Sequence, residues 1–224
     1  MSTLLLRFAA PLQAWGTNSK YDIRKTDREP SKSGVVGFLA AALGRKRNEP
    51  LDDLNQLRLG VRVDQEGSIL QDFHMVHAEK SSYVTRRYYL SDAVFVVGLE
   101  SQDEEFLNQL EYAVRHPAYP LFLGRRSCPP CGKIVLGVRS KLDLEEALRE
   151  ESWQASEWKM RKERAAEVHL RLVLESSDGR VVRQDYPVSF NPKKRLYEYR
   201  GIREEDCIFL TGIAETEHDP MIGM

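Results

Sequence analysis

The sequence predicts an α+β fold: a ferredoxin-like (RRM-like) domain carrying an inserted β-hairpin, followed by a small β-rich C-terminal domain. Three observations point to it. Between residues 3 and 138 the apolar patterning runs strand, helix, strands, strand, helix, strand, the order of a split βαβ unit. Two stretches of this region, around 35–43 and 103–116, show helical periodicity behind capping residues. Beyond Leu142 charge rises and short alternating runs take over, which sets a boundary between residues 1–142 and 143–224.

"TLLLRF" (3–8) is apolar except at Arg7 and reads as a buried strand. "PLQAWGTNSKYDIRKTDREP" (11–30) mixes polar and turn residues without a period and reads as a long loop. Ser31 or Ser33 then caps a helix whose apolar stripe is Val35, Val36, Phe38, Leu39, Ala42 and Leu43, with Gly44 at its end. "LRLGVRVD" (57–64) alternates as a strand and turns through Gln65–Gly67 into "SILQDFHMVH" (68–77). The polar, basic and aromatic run "AEKSSYVTRRYY" (78–89) completes the hairpin insertion. "DAVFVVGLE" (92–100) is a core strand, "DEEFLNQLEYAVRH" (103–116) an amphipathic helix and "GKIVLGV" (132–138) a closing strand. After a charged helical segment (143–164) come strands in "EVHLRLVLE", "RVVRQDYPVSF" and "DCIFLTGI", with Asp178-Gly179 marking a hairpin turn.

The chain has 224 residues, 42% of them hydrophobic, enough to bury a core. Its 33 Lys/Arg and 34 Asp/Glu leave a formal charge of −1, so overall charge implies no polyanionic partner. The distribution says more. No acid falls between Tyr112 and Leu142, where Arg115, Arg125, Arg126, Lys133, Arg139 and Lys141 all lie. Such segregation can create one basic face on a neutral molecule. Three cysteines form no disulfide framework, and "LLLRFAAPL" lacks the order of a signal peptide. The longest apolar run, "VVGFLAAAL", is short of the ~20 residues a bilayer requires. A cytoplasmic protein without membrane contact is expected.

Three basic segments are candidates for nucleic-acid contact. In "LGRRSCPPCG" (123–132), Arg125 and Arg126 can fork onto phosphate beside a glycine, and Ser127 adds a hydroxyl. "RKTDREPSKSG" (24–34) sets Arg24, Lys25, Arg28 and Lys32 before a helix N-terminus, a ready anion site. "SSYVTRRYY" (81–89) joins Arg86 and Arg87 to Tyr83, Tyr88 and Tyr89, which suits backbone charge with base stacking. Cys128 and Cys131 have the spacing of half a zinc site, but Cys207, His116 and His169 supply no second pair. Neither a metal nor a cofactor is expected, and Pro129-Pro130 reads as a rigid turn. Metal-free RNA cleavage would draw on Tyr21, His74, His77 and Lys80. The two histidines, three apart in a strand, face opposite sides, and nothing forces an acid and base together.

"PLQAWG" (11–16), "REPSKSGVVGFLAAALG" (28–44), "RRYYLSDAVFVVGL" (86–99) and "LFLGRRSCPP" (121–130), in this order and spacing, resemble the fifth CRISPR-associated protein family of the RAMP superfamily. The similarity is to its CasD branch, from the type I-E effector Cascade. It implies a β-hairpin thumb over 66–90 and a non-catalytic role in antiviral defence. That role is to hold the 5′ handle of the crRNA beside a backbone subunit (CasC type) and a large subunit (CasA type), meeting target DNA only indirectly. Relatives in type I-C cut precursor guide RNA, so a metal-independent endoribonuclease is the alternative. Carried over by motif, RNA contact falls to Gln13, Trp15 and Gly16 after the first strand and to Arg24, Arg28, Lys32, Ser33 and Gly34 before the first helix. Arg86 and Arg87 in the hairpin and Arg125, Arg126, Ser127 and Cys128 in the arginine loop complete the set. "SKSG" has lysine where the pattern favours arginine, which loosens bidentate geometry at Lys32.

Overall fold

A computed structural model describes residues 1–16, 23–78 and 81–211. In chain order the strands and helices are β1 (Ser2–Ala9), β2 (Leu12–Gln13), β3 (Ile23–Arg24), α1 (Lys32–Ala42), α2 (Asp52–Asn55) and β4 (Arg58–Gln65). Next come β5 (Ser68–Ala78), β6 (Ser81–Ser91), β7 (Val94–Ser101), α3 (Glu104–Arg115) and β8 (Val135–Arg139). The remainder is α4 (Leu144–Glu150), α5 (Glu157–Lys162), β9 (Glu167–Glu175), β10 (Val181–Ser189) and β11 (Leu196–Leu210).

The architecture is mixed α+β and rich in strands. One seven-stranded sheet has the order β10-β11-β9-β4-β7-β1-β8, with every neighbouring pair antiparallel. Both faces of its centre are covered, which is why "TLLLRF" and "AVFVVGL" are apolar runs and not alternating ones. Leu4, Leu6 and Phe8 point into the larger core with α1 and α3, whereas Leu5 and Val96 point the other way, against Leu144 and Leu148 of α4. Ser31 and Asp103 cap α1 and α3 as their sequence positions predict. The charged segment 143–164 is two short helices, because Glu151 turns extended after the Asp143 capping box and Trp153 drops into the second core.

β5 and β6 pair from Ser68↔Ser91 out to Ala78↔Ser81, forming a long hairpin. Two short strands from the expected loop lie on its other side: β2 pairs with Leu90–Ser91 and β3 runs parallel to Arg86–Arg87. The C-terminal strands depart from expectation in one respect. Asp178-Gly179 does form a turn, but β9 and β10 pair with β11 and not with each other. The hairpin turn is at 190–195, where the Asn191 side chain accepts from the Lys193 backbone. β11 begins at Leu196, well before "DCIFLTGI", since "YEYRGIREED" alternates too weakly to announce a strand. β9 joins the sheet through Gly60–Val63 of β4, so residues 143–211 share the sheet of the N-terminal part. No helix among the described residues is long and apolar enough to cross a membrane.

Candidate nucleic-acid interface

The chain leaving β1 is held in place by its own conspicuous residues. Gln13 is fully buried and donates to the Ala93 carbonyl at 2.7 Å, while its carbonyl oxygen accepts from the Trp15 indole at 3.1 Å. The Trp15 ring is 1% exposed and stacks on Phe8 with centroids 5.7 Å apart. Its backbone meets 26–27: Trp15 N–H donates to Thr26 Oγ1 and Asp27 N–H to the Trp15 carbonyl. "PLQAWG" is therefore a scaffold under the loop. Gln13 and Trp15 are corrected from RNA contacts to buried supports, and of that motif's candidates only Gly16 reaches the surface.

On this scaffold sits the arginine loop. Gly124 has φ +85°, and a Cβ there would lie 1.6 Å from the Ala14 carbonyl oxygen, so only glycine fits. Leu123 and Cys128 close the loop, with Leu123 N–H donating to the Cys128 carbonyl at 2.7 Å. Cys128 is 1% exposed and packs in the core, so its side chain is corrected from the RNA-binding set, whereas Arg126 and Ser127 are exposed. Arg125 lies over the Tyr89 ring at 4.5 Å and donates to the Arg24 carbonyl at 3.0 Å. Register places Arg24 beside Arg87 on β6, and Tyr89 follows on the same face. Arg24, Arg87 and Arg125 thus share one face of the hairpin base. Arg125 Nη1 and Arg87 Nε are buried and meet no acceptor among the described residues. Leaving such a donor unsatisfied costs about 1–3 kcal/mol. Among the described residues no carboxylate pairs with Arg24, Arg86, Arg87, Arg125 or Arg126.

The helix N-terminus behaves differently. Lys32 is 2% exposed and its ammonium lies 2.7 Å from Glu175; burial pushes its pKa below the usual lysine range, with Glu175 opposing. The N–H of Lys32 donates to Asp185 at 2.8 Å, and Arg200 holds that carboxylate with two bonds. Ser31 Oγ takes the Gly34 N–H, Ser33 lies against Ser31, and the Trp15 ring leaves no room for a side chain at Gly34. The anion site expected before α1 is occupied by the chain's own Asp185. The Lys32 side chain is thereby buried and paired within the chain, whereas Ser33 and Gly34 stay partly exposed. Nothing in "SKSG" could announce this, because Glu175, Asp185 and Arg200 lie far along the chain.

The comparisons with known proteins fit this geometry. The family model described as "CRISPR-associated protein (Cas_Cas5)" matches residues 3–203. The chain belongs to the Cas5 family of CRISPR-associated proteins. Cascade subunit CasD of Escherichia coli (strain K12) is 35% identical over 169 residues, covering 66% of this chain and 75% of that one. A solved structure described as a CRISPR RNA-guided surveillance complex contains a chain similar at TM-score 0.79 and 33% identity, covering 94% of this chain and 92% of that one. A Cas protein crystal structure is similar at TM-score 0.71 and 39% identity, covering 91% and 94%.

Of the residues considered for RNA cleavage in this Cas5-family chain, the two histidines are described. His74 pairs with Asp72, and His77 Nδ1 lies 2.9 Å from Ser82; both histidines are exposed on the hairpin. Tyr21 and Lys80 lie outside the described residues. Cys128 is buried beside Ser127, Cys131 is exposed and Cys207 is in the second core. Among the described residues no three His, Cys, Asp or Glu side chains cluster as metal ligands.

Proposed function

We propose that the protein is a non-catalytic Cascade-type subunit that grips the 5′ handle of a crRNA, supporting RNA-guided DNA recognition in antiviral defence. The observation that carries this reading is the joining of Arg24, Arg87 and Arg125 on one face, with two buried guanidinium N–H groups lacking acceptors. Phosphate oxygens accept from guanidinium donors, and Arg126 extends the charge around them. The similarity to CasD and to a chain of a surveillance complex supplies the setting. The strand order β4-β7-β1-β8, with α1 and α3 over one face, supports the ferredoxin-like reading of the core.

The β5–β6 hairpin is then the thumb. Ile69, Phe73, Met75, Tyr83 and Val84 are exposed along it, a surface suited to a neighbouring backbone subunit of CasC type, with a large subunit of CasA type also in contact. The test is to incubate the purified chain with its repeat RNA and with handle RNA, with and without EDTA. Binding of the handle without cleavage is expected. Specific cleavage that disappears in His74→Ala would replace this reading with a metal-independent endoribonuclease.

A further inference from the structure

A second concavity lies across residues 24–28 from the cationic face. An open cleft of about 750 Å³ separates the Thr26–Glu29 segment from the C-terminal strands and is walled by Ile69, Val182 and Tyr199. It shares Thr26 and Ile69 with a smaller hollow of about 310 Å³ bounded by Ile23 and Tyr88. Clefts of this size, ~300–1,000 Å³, are those that hold small organic groups.

We propose that β10 and β11 form the far wall of a cleft that receives an unpaired nucleotide of the guide RNA, with Tyr199 as its stacking platform. This rests on the guide-binding reading above and gives the C-terminal strands a part in it. The charge pattern chooses the occupant. Arg171 and Arg183 converge on Glu29, itself 2% exposed, and both also face Glu204, while Arg171 meets Glu66 as well and Asp27 lines the cleft, so the floor is polar and its two arginines are outnumbered by carboxylates. Such a floor does not attract phosphate and offers donors and acceptors to the edge of a base. Arg28, by contrast, has no ion pair or hydrogen bond with any described residue and lines the same cleft, where a backbone phosphate would sit. Tyr199 is 66% exposed and Val182 60% exposed, and the Tyr199 ring meets no other ring among the described residues. Exposed aromatic rings next to unpaired cations are the pattern by which single strands are held. The Ile23 and Tyr88 side of β6 lies opposite the cationic face, with the short strand β3 between them. Ile23 shares the side of β6 that carries Arg86 and Tyr88, while Arg24 shares that of Arg87, so a strand crossing 23–24 passes from one to the other.

The experiment compares handle-RNA affinity of the full chain with that of Tyr199→Ala and Tyr199→Phe over a salt series, beside the Arg125→Ala/Arg126→Ala variant. Handle RNA bearing 4-thiouridine is photocrosslinked in parallel. Stacking predicts a loss of about fivefold or more for Tyr199→Ala, near-normal binding for Tyr199→Phe, and no change in salt slope for either, since no charge is removed. A crosslink to the peptide containing Tyr199 is expected. If Tyr199→Ala binds normally and no such crosslink forms while the arginine variant is weakened, the cleft is not a nucleotide site and the guide-binding reading stands. If neither variant loses affinity, guide binding itself fails. Normal RNA binding by Tyr199→Ala with failure to enter the assembled complex would overturn the proposal in favour of a protein partner.

Discussion

Arg125 shows how a single residue is given its task by partners distant in sequence. Tyr89 spreads under its guanidinium, the Arg24 carbonyl takes one N–H, and Gly124 lets the loop lie against Ala14. Gly124→Ala would force a non-glycine residue to positive φ, at about 1–2 kcal/mol, and drive a methyl group into the Ala14 carbonyl. A lower melting temperature is expected, together with weaker handle binding although no cation is lost. An unchanged melting curve would show that the loop tolerates rearrangement. The cysteines give a second residue-scale test. Burial raises the Cys128 thiol pKa, and Cys207 is 2% exposed, so at neutral pH a maleimide should label Cys131 alone in the folded protein. Mass spectrometry of the labelled peptides checks this, and native labelling of Cys128 would contradict its place in the core.

At the scale of elements, the hairpin and the C-terminal strands have opposite roles. The outer hairpin is exposed on both faces over Phe73–His77 and Ser81–Val84. Replacing 76–83 with a short Gly-Ser turn, which keeps Arg86 and Arg87, should leave the melting temperature nearly unchanged and prevent co-purification with a backbone subunit and guide RNA. Normal co-purification would remove the thumb assignment. The C-terminal strands instead lock the basic segment before α1: Asp185 holds its helix N-terminus, and Arg171 and Arg183 hold Glu29.

Much of this architecture was legible in the sequence. Apolar runs marked β1 and β7, serine and aspartate marked the helix caps, and alternation marked the hairpin, because these depend on neighbours in the chain. Clustered arginines in "GRR" and "TRRYY" were equally plain. What could not be read was which cations the chain neutralises itself. Lys32 and Arg125 are both basic residues near glycine, yet Glu175 takes one and an aromatic ring displays the other. Pairing across the sheet decides that difference, and local composition carries no trace of it.

For the whole molecule, the fold separates cations that are paired from cations that meet no carboxylate among the described residues. Arg62 is the extreme of the first kind. It is completely buried, doubly bonded to Asp64, and donates to the carbonyls of Leu148, Glu151 and Ser152, fastening the segment after α4 to β4. Arg62→Met should cost about 3–5 kcal/mol, because the Asp64 carboxylate would remain buried without its partner. Chemical denaturation measures this, and a loss under 1 kcal/mol would mean the pair is dispensable. Since β9 completes β4 and α4 covers Leu5 and Val96, a fragment ending at Leu142 should not fold cooperatively. A sharp thermal transition in that fragment would contradict the shared sheet.

The second kind of cation, at the hairpin base and arginine loop, is where the proposed guide binding would be decided. Its most direct test is the affinity of handle RNA for the Arg125→Ala/Arg126→Ala protein across a salt series. Each lost phosphate contact should flatten the log–log salt dependence by ~0.7. A charge-assisted contact is worth roughly 1.5–3 kcal/mol, so affinity should fall about ten- to a hundredfold for each. An affinity and a slope both equal to those of the unaltered protein would contradict the claim that this face holds the guide.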